Sequence, residues 1–79
     1  MDKDAFEKII AVEITAEPIE LHKLLKFANL AQSGGEAKFV ISEGLVRVND
    51  AVETQKRKKI VSGDVIEFNG RKFRVAVKQ

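Results

Sequence analysis

The chain contains no cysteine, no tryptophan and no tyrosine, and only one proline and one histidine. Without cysteine there is no disulfide to staple the fold and no cysteine-based zinc site. The apolar core must hold the chain by itself, and a reducing cytoplasm is the expected setting. Long apolar runs are missing as well. Stretches such as "IIAV" and "LVRV" fall far short of the roughly 20 residues a membrane-spanning helix needs. The opening "MDKDAFEKII" mixes charges of both signs and lacks the basic-then-apolar order of a secretory signal. No metal-ligand spacing exists, and "SGGE" is too short to match a dinucleotide-binding glycine motif or a Walker loop. No metal, cofactor or small-molecule substrate is expected.

What is present is a 79-residue chain, 44% apolar and 33% charged, ordinary for one small folded domain with a modest core. Its net charge of +2 is slight, but the charge is unevenly spread. Residues 1–45 carry five Lys against eight Asp and Glu, a balance of −3, whereas residues 46–79 carry nine Lys and Arg against four acids, a balance of +5. A field gathered on part of a surface raises the local concentration of an oppositely charged partner, whatever the fold.

Residues 1–8 show no convincing period and are expected to be a frayed lead-in or a first helical turn under Phe6. Residues 9–79 read as one α+β unit. "IIAVEIT" puts Ile10, Val12 and Ile14 on one face at period two, a short strand that Pro18 ends. In "IELHKLLKFANL", Leu21, Leu24, Leu25 and Ala28 follow helical spacing, with His22, Lys23 and Lys26 directed outward. Ser33 to Glu36 forms a capping box opening a second helix, whose buried face is Ala37, Val40 and Ile41 and whose end is Gly44. The remainder reads as sheet. "LVRVND" alternates and stops at Asn49-Asp50, "SGD" marks a tight turn, and Asn69-Gly70 between alternating segments predicts a type I′ hairpin. The fold class is therefore two packed helices followed by a small, mainly antiparallel sheet, with an N-terminal strand.

Chemistry has few places to reside. A hydrolase would have to combine His22, Ser33 and Asp64 on residue type alone, and Ser33 is better used as a helix cap. The basic run Lys56, Arg57, Lys58 and Lys59 is the more informative feature. Such runs are most often solvated loops, but Lys38 on the second helix and Arg47, on the strand expected to pair with the basic segment, add cations nearby. Lys23, Lys26, Lys38, Arg47 and Lys56 to Lys59 can line one face if the helices pack beside the hairpin. That face suits phosphate, because each phosphate neutralised releases counterions. Gly34 and Gly35 at a helix start either let a phosphate approach free N–H groups or permit a tight interhelical turn. Phe27, Phe39, Phe68 and Phe73 are expected in the core or partly in it, which argues against base stacking and for recognition of backbone and shape in folded RNA.

The order and spacing of "LHKLL", "SGGEAK", "ISEGLVRVND" and "SGDVIEF" resemble the S4 RNA-binding domain, with its alpha-L motif. Ser33, Ala37, Lys38, Ile41, Gly44, Val46, Val48, Asn49, Gly63 and Asp64 fall on the family's positions. The chain is similar in particular to the short stand-alone S4-like proteins of bacteria, the YaaA/YbcJ-like group. In larger proteins the S4 domain is an accessory RNA-binding module, as in ribosomal protein S4, pseudouridine synthases and tyrosyl-tRNA synthetases. The resemblance implies a non-catalytic protein that binds structured RNA, ribosomal RNA or the ribosome among the candidates. The basic face and the family positions together give an expected contact set of Lys23, Lys26, Ser33, Gly34, Gly35, Lys38, Arg47, Asn49 and Lys56 to Lys59. Two positions depart from the pattern: Gly34 stands where many S4 domains have a basic residue, and Asp50 where glycine is commoner. The alternative is a protein adaptor docking its basic hairpin on an acidic partner.

Overall fold

The computed structural model describes residues 9–78, so the lead-in expected over residues 1–8 lies outside the described residues. The elements run β1 (Ile9–Ile14), β2 (Ile19–Glu20), α1 (Leu21–Phe27), α2 (Gly34–Ser42), β3 (Val46–Val48), β4 (Ala51–Val52), β5 (Lys59–Ile60), β6 (Val65–Phe68) and β7 (Arg71–Val77). Five strands form one sheet in the order β1-β7-β6-β3-β4, while β2 and β5 make a separate two-stranded ribbon. The large sheet is antiparallel except where β1 joins β7 in parallel, with Ile10 opposite Phe73, Val12 opposite Val75 and Ile14 opposite Val77.

Local chemistry sets the hairpins. Asn69 and Gly70 have φ of 57° and 77°, and Asn49 and Asp50 have φ of 51° and 70°. Two successive left-handed residues are what a type I′ turn requires, and its twist matches that of the flanking strands. Each turn joins directly opposed residues, Phe68 with Arg71 and Val48 with Ala51.

Helix ends are satisfied in the same local manner. Ser33 Oγ accepts from the Glu36 N–H at 3.1 Å, and the Glu36 carboxylate reaches back to the Gln32 N–H at 2.7 Å. The carboxylate thus serves one residue before the cap rather than the cap itself. Both helices end with a left-handed residue, Asn29 (φ 61°) after α1 and Gly44 (φ 75°) after α2. The following N–H groups close back in each case, Leu30 onto Leu25 O and Leu45 onto Val40 O. This six-residue closure satisfies carbonyls that the helix cannot.

One core unites the layers. Leu21, Leu24 and Leu25 of α1 and Ala37, Val40 and Ile41 of α2 pack with Val46, Val48, Ile60, Ile66 and Val75. Phe73 is also buried and Phe68 is partly so, as expected. Phe27 and Phe39 are not in the core: they are 52% and 61% exposed. The reason for Phe39 is angular, since a residue two beyond Ala37 and one before Val40 falls off the stripe that those residues define.

Candidate nucleic-acid interface

The basic run is held by its backbone. Lys59 and Ile60 pair with Glu20 and Ile19 in the small ribbon. Lys58 O then accepts from the Leu21 N–H at 2.8 Å, and Lys56 O from the His22 N–H at 3.0 Å. These donors open α1, where no helical carbonyl can serve them. The turn itself closes by Lys58 N donating to Gln55 O at 3.1 Å, and Glu53 Oε2 accepts from the Gln55 N–H at 3.1 Å. With the carbonyls engaged by the helix, the side chains of Lys56, Arg57, Lys58 and Lys59 are left exposed. The expectation that Arg47's strand pairs with this segment is corrected: β3 pairs with β4 and β6. Two residues of β4 use up the available edge before the chain turns polar.

A second element faces the turn. Lys38 and Ser42 lie four residues apart on α2 and so share a face, with Gly34 one turn before Lys38. Lys38 and Ser42 on one side, and Thr54, Gln55, Lys56 and Arg57 on the other, line an open groove of about 350 Å³. No acid lines it. Among the described residues the ion pairs are those of Glu20 with His22 at 2.9 Å and with Lys23 at 3.9 Å, so Lys38, Lys56 and Arg57 have none. Three cations from two elements thus converge with no ion pair at contact distance, Glu20 acting on Arg57 only from farther off, an arrangement that an oxyanion would relieve.

Glu20 interacts with this arrangement through Arg57. The hydrogen bond from His22 holds its carboxyl below the ordinary carboxylate range, against the opposing effect of desolvation, with Lys23 and Arg57 adding to the lowering. Glu20 therefore stays ionised beside the basic turn and draws on Lys23, one of the expected contact residues.

The remaining expected residues divide into four groups. Lys26, Lys58 and Lys59 are exposed but stand outside the groove lining. Ser33 caps α2, while Gly34 and Gly35 start it with open space: a Cβ at Gly34 meets nothing within 4 Å, and one at Gly35 meets only Ser33 Oγ at 3.9 Å. Neither has a left-handed φ, so the chain itself imposes glycine at neither position. Arg47 projects from the sheet face opposite the buried Val46 and Val48. Asn49 works within the fold, its amide donating to Asp64 Oδ1 at 3.1 Å and its Oδ1 accepting from the Val65 N–H at 2.9 Å. Asp64 Oδ2 also accepts from the Val61 N–H at 3.0 Å, so the pair ties one hairpin turn to the next.

His22 and Ser33 are occupied separately, by Glu20 and by the Glu36 N–H, so the base-to-nucleophile contact a hydrolase needs is not assembled. Sequence reasoning missed Ser42, Thr54 and Gln55 in the groove lining. The spacing of Ser42 from Lys38 was the available signal for the first. The other two depend on how the turn folds.

Comparison with known proteins agrees with this architecture. The S4 domain family model matches residues 12–76, and the chain belongs to that family. It is similar to YbcJ of Escherichia coli (strain K12), 47% identical over 57 residues, 72% of this chain and 81% of the relative. RlbA of Bacillus subtilis (strain 168), named as a probable ribosome maturation protein, is 42% identical over 59 residues, covering 75% and 83% of the two chains. The solution structure of E. coli YbcJ, described as revealing an alpha-L motif involved in RNA-binding, superposes with a TM-score of 0.66 at 39% identity, covering 90% of this chain and 91% of that one. Among the described residues no helix is long and apolar enough to cross a membrane.

Proposed function

We propose that this is a non-catalytic RNA-binding protein that holds structured RNA, ribosomal RNA foremost, by phosphate contacts in the groove between α2 and the basic turn. The observation that carries the reading is the convergence of Lys38 with Lys56 and Arg57 in a groove without acids. Lys38 and Lys56 act as point charges, and Arg57 can pair with one phosphate in a bidentate manner that lysine cannot. Lys23, Lys26, Lys58 and Lys59 extend the positive field around the groove. Ser33, Gly34 and Gly35 keep the start of α2 open to a sugar-phosphate backbone. Asn49 serves by fixing the hairpin, and Arg47 lies at the margin. The likeness to YbcJ and RlbA supports RNA as the anion and ribosomal RNA as the first to test, and a cytoplasmic setting goes with that reading.

The test is the salt dependence of binding to folded ribosomal RNA. Three engaged phosphates give a log–log slope of roughly 2 to 3, and the Lys56→Ala/Arg57→Ala double variant lowers that slope by up to about 1.8. An affinity indifferent to salt would overturn the reading. So would a pull-down in which every partner survives ribonuclease, which is the result an adaptor for acidic proteins gives.

A further inference from the structure

Phe39 is the most exposed large apolar side chain among the described residues. A single exposed apolar residue is ordinary on a protein surface, so its neighbours decide its meaning. Phe39 follows Lys38, which lines the groove, and its carbonyl accepts from Oγ of Ser42, another lining residue, at 2.8 Å. Helical side chains lean toward the N-terminus and cover the preceding turn. The turn before Phe39 holds Gly34 and Gly35, which have no side chains to cover the ring. Glu36 and Glu43, three residues before and four after, border Phe39 on the side away from Lys38. A phosphate is repelled from that side and attracted to the other. The part of a nucleotide that can lie over Phe39 is its uncharged base.

We infer that Phe39 is a stacking platform for an unpaired base whose adjoining phosphates lie in the groove on Lys38, Lys56 and Arg57. The pairing of a ring with a cationic track is how single-stranded nucleotides are held without sequence readout. The inference rests on the RNA-binding reading and narrows its substrate to folded RNA interrupted by a bulged or looped-out nucleotide.

Three RNA hairpins with one common stem test it: fully paired, with a single bulged adenosine, and with an abasic nucleotide at the same bulge. The protein is expected to bind the adenosine bulge about tenfold more tightly than the abasic one, within the range of one base–aromatic stack. Phe39→Leu brings the adenosine-bulged hairpin down to the level of the abasic one, with circular dichroism showing an intact fold. In Phe39→Trp the indole is the chain's sole tryptophan, and its fluorescence is quenched by the adenosine bulge but not by the abasic one. Equal affinity of the unaltered protein for both bulges overturns the stacking platform, as does discrimination that survives Phe39→Leu. In either of those cases salt-dependent binding to the paired hairpin keeps RNA binding standing. Failure to bind any of the three overturns both.

Discussion

Two surfaces of this protein carry cations, and they differ in what stands beside each charge. On the outer face of the five-stranded sheet, Arg47 lies opposite Glu67, and Glu67 opposite Lys72, in one row across β3, β6 and β7. Opposite charges at facing positions stabilise each other, so Arg47 and Lys72 share one facing acid within the sheet. In the groove, Lys38, Lys56 and Arg57 come together from a helix and a turn with no acid among the lining residues. Arg47 and Lys72 on the sheet have an acid of their own fold opposite them. The cations of the groove are left for a partner. A tally of lysines and arginines does not separate the two surfaces, but the identity of each charge's neighbour does.

The sharpest way to break that comparison is charge reversal on each side. The triple variant Lys38→Glu/Lys56→Glu/Arg57→Glu should lose about a hundredfold in affinity for a paired RNA hairpin at roughly 0.1 M salt, since it removes three cations and adds three repulsions. Arg47→Glu/Lys72→Glu on the sheet should change affinity by less than about threefold under the same conditions. Fluorescence anisotropy with a labelled hairpin measures both. Comparable losses would mean that the RNA lies across the sheet as well, and the distinction would fall.

How much of this the sequence carried depends on the range over which each feature is decided. Asn69-Gly70, the Ser33 cap and the Gly44 stop are settled within a few residues, and each was legible. Lys38 and the basic run were legible as cations too, because helical spacing exposes the one and composition the other. The partner of the basic segment was not. Its pairing with Ile19 and Glu20 involves only two residues per strand, reinforced by the N–H groups that open α1. No pattern within the run announces a contact some forty residues away. The expected pairing of Arg47's strand with the basic segment failed for a related reason, since it depends on contacts between distant parts of the chain. Phe39 is a different case. Its position between Ala37 and Val40 already excluded it from the buried stripe, but the apolar character of the residue outweighed the angle in the reading. Asn49 and Asp64 fell on family positions, and only the fold shows them bonded to each other.

That bonded pair offers a more moderate test, one that should separate stability from binding. Asp64→Ala removes the acceptors of the Asn49 amide and the Val61 N–H. Both sites are accessible enough for water to replace part of what is lost, so the cost should be about 1–2 kcal/mol. In a domain of this size that lowers the Tm by roughly 5–10 °C. Affinity for the paired hairpin, measured well below the new Tm, should hold within about twofold, because neither residue lines the groove. A parallel fall in affinity would show that the groove's shape depends on the link between the two turns. Its cations would then not act independently of the sheet.

The smallest expected effect concerns one methyl group at the start of α2. Gly34 has no left-handed φ, and a Cβ there meets nothing within 4 Å. Alanine therefore fits the folded chain and restricts the unfolded one, which should raise stability by about 0.5 kcal/mol and the Tm by a few degrees. Binding should move the other way. Gly34 lies one turn before Lys38 on the same face, and a phosphate drawn to that lysine comes down on the helix start, where free N–H groups and the positive end of the helix dipole meet it. A methyl in its path should weaken binding by roughly two- to fivefold. Opposite signs from a single substitution would identify glycine here as a concession to the partner, since the fold alone would prefer alanine. A higher Tm with unchanged affinity would confine the phosphates to Lys38, Lys56 and Arg57 and remove the helix start from the contact surface.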